Sequence, residues 1–148
     1  MFTPEETTVI EHAAEIFKSK IKTCDAFTNP GLASGFCQTR LAHLEREVFM
    51  VLHLDCKHRL IEAVELFAGS IDSASIHPRE VVKSALHYNS FALIIAHNHP
   101  SGDITPSASD RRITSRLRDA LGMVDIRILD HIVVGCEGTY SFAEHGLI

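Results

Sequence analysis

The chain has 148 residues, 45% apolar and 22% charged, with 10 histidines and a net charge of −5. This length and balance predict one globular domain and exclude a disordered, collagen-like or low-complexity chain, because there is enough apolar surface to offset the entropy of ordering. No run reaches the roughly 20 apolar residues that cross a bilayer, the acidic start MFTPEETTVIEHAAEIF lacks a secretory signal's basic and apolar segments, and the acidic balance argues against tight sequence-independent binding to nucleic acid.

A helix is expected over about Pro4–Lys20, with Thr3 as N-cap, Pro4 at the first helical position, and Ile10, Ala13, Ala14 and Phe17 as its inward stripe. CDAFTNPG, residues 24–31, reads as a loop, and a second helix follows over about Leu32–Leu44. EVFMVLHLD, Glu47–Asp55, is a strand, and LIEAVELFAG, Leu60–Gly69, is its hairpin partner across a polar CKHR turn. Pro78 opens a helix that Asn89 ends in a left-handed conformation. FALIIAHNH, Phe91–His99, has apolar residues on both faces, with Phe91, Leu93 and Ile95 opposite Ala92, Ile94 and Ala96, and so belongs in the centre of a covered sheet. A helix over about Ser107–Leu121, ended by Gly122, precedes the strand VDIRILDHIVVG and a short strand TYSF. The pattern is α/β (α+β): a single mixed sheet flanked by helices.

The chemistry concentrates where the central strand breaks. His97 and His99 lie two apart on a strand and project to one face. Asp110 falls in the first turn of the next helix, and the turn-rich segment PSGDITP lets that turn fold back over the strand end. Two imidazoles and one carboxylate, with a fourth position left for water, are the arrangement of a catalytic zinc site, although a histidine at a strand end is otherwise structural or exposed. Ser107 with Asp110 also reads as a helix capping box, and Asp103 competes as the carboxylate. Cys24, Cys37, Cys56 and Cys136 form no C-x-x-C pair, so neither a disulfide framework nor a cysteine zinc site is expected, and the cytoplasm is the expected compartment.

The run H-N-H-P, six residues, S-x-x-D resembles the JAMM motif of the JAB/MPN+ metalloprotease family. HNHPSGD, with HPRE at His77–Glu80 and DHIVVG at Asp130–Gly135, looks like the RadC branch. The resemblance runs from about residue 30 to the C-terminus. It implies a cytidine-deaminase-like JAB/MPN fold in a single domain over 1–148, the N-terminal helix packed on it. It implies Zn2+ held by His97, His99 and Asp110, with Ser107 stabilising the tetrahedral oxyanion. It further implies an upstream Glu acting through the metal-bound water. Glu47 fits, sharing parity with Phe49 and Val51; Glu80 is its rival, otherwise a helix-start acid. RadC proteins usually carry a helix-hairpin-helix region, for which this chain has no room, which weakens any role in DNA carried over from the family.

The expected activity is that of a zinc-dependent metallopeptidase or isopeptidase acting on a protein or peptide. The alternative is a non-catalytic metal-containing binding module linked to DNA repair or a mobile element; a metal-dependent nuclease ranks below both. A zinc deaminase would need the absent C-x-x-C. An iron oxygenase, which also uses two His and a carboxylate, leaves Ser107 and Glu47 without a role. Arg111, Arg112, Arg116 and Arg118 are the one local basic stretch and read as a solvated helix face. No membrane association and no strong DNA binding are expected.

Overall fold

Alternation along the strands divides the apolar residues between two faces of one sheet, each covered by a pair of helices. The computed structural model describes residues 2–23, 29–70 and 75–148. In chain order the elements are α1 (Pro4–Thr23), α2 (Pro30–Leu41), β1 (Val48–Leu54), β2 (Leu60–Ala68), α3 (Pro78–His87), β3 (Ala92–Asn98), α4 (Ala108–Gly122), β4 (Arg127–Gly135) and β5 (Gly138–Ser141). The five strands form a mixed sheet in the order β2-β1-β3-β4-β5. β3 and β4 run parallel, joined by a crossover through α4, and the other pairs are antiparallel. The expected fold class is the one found.

Val48, Met50, Leu52 and Leu54 of β1 join Ala92, Ile94 and Ala96 of β3 beneath Ile21 of α1 and Ala33, Phe36, Cys37 and Leu41 of α2. On the other face, Phe49, Val51, Leu93 and Ile95 pack with Val81 and Ala85 of α3 and Ile113, Leu117 and Leu121 of α4. Every residue of β1 and β3 is buried, as a strand apolar on both faces requires. α1 starts at a capping box, in which Thr3 N donates to Glu6 Oε2 at 2.8 Å and Glu6 N donates to Thr3 Oγ1 at 3.2 Å. Its Lys18 pairs with Glu62 of β2 at 3.0 Å. Among the described residues no helix is long and apolar enough to cross a membrane, and Cys37, Cys56 and Cys136 are free thiols. Residues 24–28 of the expected loop, Cys24 included, lie outside the described residues.

Two expectations shift. α2 starts at Pro30 and ends at Leu41, before Leu44. The carbonyls of Leu44 and Arg46 accept from the Asn98 side chain at 3.3 and 3.0 Å, which holds this stretch out of the helix. Phe91 precedes β3 and stays 47% exposed, outside the core assigned to it. Gly122 is the last residue of α4, as expected, and the left-handed residue that turns the chain into β4 is Asp125, with φ 59°. Asn89, with φ 51°, follows α3 as expected.

Candidate metal centre

β3 ends at the edge of the core, and its parity sets both histidines on the α3/α4 face. His97 is 2% exposed, and His99, one step beyond the strand, is half-buried. His99 N donates to Val134 O at 2.8 Å, so the chain stays fastened to β4 past the end of β3. The loop then turns at Gly102, with φ 88°, and returns as α4. A Cβ at Gly135 would lie 2.5 Å from the Gly102 carbonyl oxygen, so glycine there is what lets the loop rest on β4.

α4 begins with the capping box read from the sequence: Asp110 N donates to Ser107 Oγ at 3.0 Å and Ser107 N donates to Asp110 Oδ2 at 2.8 Å. The cap also aims the carboxylate. Asp110 Oδ1 lies 3.2 Å from His97 Nε2 and Oδ2 lies 3.3 Å from His99 Nε2, while the two Nε2 atoms are 3.0 Å apart. Capping and convergence on the histidines are therefore compatible uses of one side chain. His97, His99 and Asp110 form a group that could hold a metal ion. Asp103 does not join it. Its carboxylate accepts from Thr105 N at 2.9 Å, and its carbonyl lies 2.6 Å from His99 Nδ1.

A carbonyl can only accept, so His99 Nδ1 carries a proton, and when the ring is neutral its Nε2 lone pair turns inward. That lone pair faces a second imidazole nitrogen and a carboxylate, an arrangement that calls for a cation. Two nitrogens and one oxygen are the donor set of a divalent transition metal, so the residues present fit the group. The electrostatics agree. The Asp110 carboxylate beside it pulls the His99 imidazole above its ordinary value against the opposing effect of burial, with the Asp103 carbonyl and the Glu47 charge acting in the same direction as Asp110. Burial alone would raise the Asp110 carboxyl, but its contacts with His97 and His99 hold it well below the usual carboxylate range.

Glu47 immediately precedes β1. Phe49 pairs with His97, and continuing that register by two residues sets Glu47 across from His99, whose ring responds to its charge. Glu80 lies exposed in the first turn of α3. Ser107 is exposed beside Asp110, and its oxygen accepts the cap bond, which leaves the hydroxyl hydrogen available to donate.

Three further residues support the site and were not singled out from sequence. Asn98, 2% exposed, points to the face opposite the histidines. Its Oδ1 accepts from Val48 N at 2.7 Å and its Nδ2 donates to the Leu44 and Arg46 carbonyls, which braces the segment carrying Glu47. A buried amide at a strand end must find such partners. His131 of β4 lies 2.8 Å from His97 Nδ1, and Thr114 of α4 lies 2.6 Å from His131. Thr114 follows Asp110 by one helical turn, which is a readable signal; the pairing of β3 with β4 is not local.

A family model for the RadC-like JAB domain matches residues 27–147. The chain belongs to the RadC-like JAB domain family. It is 54% identical over 142 residues to a UPF0758 protein of Vibrio cholerae serotype O1, covering 96% of this chain and 90% of that one. The UPF0758 protein YfjY of Escherichia coli (strain K12) is 55% identical over 123 residues, 83% of this chain and 77% of its own. A UPF0758 protein of Vibrio campbellii is 51% identical over 140 residues, which span 95% of this chain but 62% of the relative. In this RadC-like domain the segments HNHPSGD and DHIVVG, separate in sequence, meet at one place: the first supplies both histidines of the group, and the second supplies His131 behind them.

Proposed function

We propose that this RadC-like domain is a zinc-dependent peptidase or isopeptidase of the cytoplasm that hydrolyses an amide bond in a protein or peptide. The observation carrying this reading is the convergence of His97 Nε2, His99 Nε2 and the Asp110 carboxylate within 4.8 Å of one another, with Ser107 capping the helix at Asp110 and the Glu47 charge acting on His99. Three protein donors leave a coordination position for water, which separates a hydrolytic site from a closed structural one. When bound, zinc supplies Lewis acidity, polarising the scissile carbonyl and lowering the pKa of water to about 7. Glu47 accepts the proton of the attacking water and returns it to the departing amine. The Ser107 hydroxyl donates to the oxyanion as it develops. Free thiols at Cys37, Cys56 and Cys136 suit a reducing compartment.

Metal analysis coupled to an unbiased screen of peptide and isopeptide substrates tests the reading. About one zinc per chain is expected, with hydrolysis that a chelator stops. The His97→Ala, His99→Ala double variant should bind no stoichiometric zinc; full zinc retention there would overturn the metal assignment. Zinc bound with no cleavage of any substrate would favour the non-catalytic module.

A further inference from the structure

The His97 ligand is backed by a chain of buried polar groups that the proposed chemistry does not use. His97 Nδ1 meets His131 Nε2 at 2.8 Å, and His131 Nδ1 meets Thr114 Oγ1 at 2.6 Å. Thr114 Oγ1 also lies 2.6 Å from the Asp110 carbonyl oxygen, to which it donates. His131 is 0% exposed and Thr114 4%. The His131 ring lies between Phe142, stacked at 4.6 Å, and Phe49, edge-on at 6.2 Å. In this buried position each hydrogen has one place to go.

The directions follow from the end of the chain. A carbonyl accepts only, so the single hydroxyl hydrogen of Thr114 goes to Asp110 O. Thr114 Oγ1 is then the acceptor for His131 Nδ1–H. A neutral imidazole with hydrogen on Nδ1 has a lone pair on Nε2, so His131 Nε2 accepts from His97 Nδ1–H. His97 is left with its lone pair on Nε2, the atom that faces His99 and Asp110. We propose that Thr114 and His131 are positioning residues that hold His97 in the tautomer able to bind metal through Nε2. The same hydroxyl also ties down the turn of α4 that carries Asp110, so one group sets two ligands. Outer partners of this kind commonly change metal affinity by about 10- to 100-fold.

The inference rests on the metal reading above, and the test separates the two. Thr114→Val keeps the side-chain shape and removes the acceptor for His131, so both rings can reverse and place a hydrogen on His97 Nε2. Zn2+ affinity, read by competition with a chromogenic chelator, should fall about 10- to 100-fold in Thr114→Val and stay close to wild type in Thr114→Ser. Nitrogen-15 NMR of histidine-labelled, metal-free wild-type protein, above the titration range of His99, should find the hydrogens of both His97 and His131 on Nδ1. A purely structural threonine would not move these resonances, whereas Thr114→Val should shift both rings toward mixed tautomers. Folded Thr114→Val with wild-type Zn2+ affinity, or a wild-type His131 carrying its hydrogen on Nε2, would overturn the proposal. Wild-type protein that takes up no Zn2+ would instead overturn the metal reading, and the tautomers would still decide the relay.

Discussion

At the scale of single residues, Glu47 and Glu80 differ in surroundings. Extending the β1–β3 register beyond its last pair, Phe49 with His97, sets Glu47 across from His99, and Glu80 is exposed in the first turn of α3. Glu47→Gln keeps the shape but cannot take up a proton. It is expected to leave zinc content unchanged and to lower turnover by about 100-fold or more, the usual size of a general-base contribution. Glu80→Gln should change turnover far less. Steady-state rates with metal analysis on both variants check the pair, and equal losses would remove the base role from Glu47. Asn98 explains how the segment before β1 can hold such a group: three hydrogen bonds to Leu44, Arg46 and Val48 fix the backbone on either side of it.

At the scale of elements, the centre is a joint between β3, the loop after it and α4, and β4 is the surface on which that loop rests. Gly135 of β4 allows the contact. A Cβ there would meet Gly102 O at 2.5 Å and Ile104 Cγ2 at 2.7 Å, and a backbone carbonyl cannot yield without moving the loop that carries Asp103. Gly135→Ala is therefore expected to cost about 1–3 kcal/mol, the range for overpacking, and to weaken zinc binding because the Asp103 carbonyl orients His99. Gly31→Ala is the control. It has open space and a helical site, so the change should be neutral or stabilising by up to about 1 kcal/mol. Urea unfolding and chelator competition read both effects; wild-type values for Gly135→Ala would show that the loop rests there without consequence.

At the scale of the whole molecule, stability carries a pH dependence away from the His97, His99 and Asp110 group. His53 of β1 is fully buried, with Nδ1 2.8 Å from Ser90 Oγ and Nε2 2.9 Å from Ser84 Oγ of α3. Burial lowers its pKa from 6.5 to about 4, with Glu62 opposing the shift and His87 adding to it. The unfolded chain therefore takes up this proton first as the pH falls. The stabilisation is fully present above the unfolded pKa and is lost between about pH 6.5 and about pH 4, amounting to roughly 3 kcal/mol. His53→Gln should flatten unfolding free energy against pH across that window; an unchanged slope would place the titration elsewhere. Charge sets a second property. Arg111, Arg112, Arg116 and Arg118 are exposed on α4, but the chain carries −5 overall. Random duplex DNA is expected to bind more weakly than about 1 μM at about 150 mM salt, because few phosphates can be neutralised. Submicromolar binding in an anisotropy titration would favour a DNA-linked module.

Local pattern by itself determined most of the elements and the pairing of His97 with His99, and it left Asp110 and Asp103 both open as the carboxylate. Alternation along Phe91–His99 marked a central strand and set His97 and His99 on one face, and the three-residue step from Ser107 to Asp110 marked a helix start, because face and cap are properties of neighbouring residues. The capping reading and the ligand reading seemed to compete in sequence; only the folded chain let both hold, since a carboxylate has two oxygens and can cap a helix and face a cluster together. The choice of Asp110 over Asp103 was likewise tertiary, made by the path of the loop across Gly135. His131 and Thr114 acquired their places only when β4 paired with β3 and α4 packed across them, bringing together His97 and His131, 34 positions apart. Periodicity reports which way a side chain points but not which strand will lie beside it, and the hydrogens behind His97 are set by that neighbour.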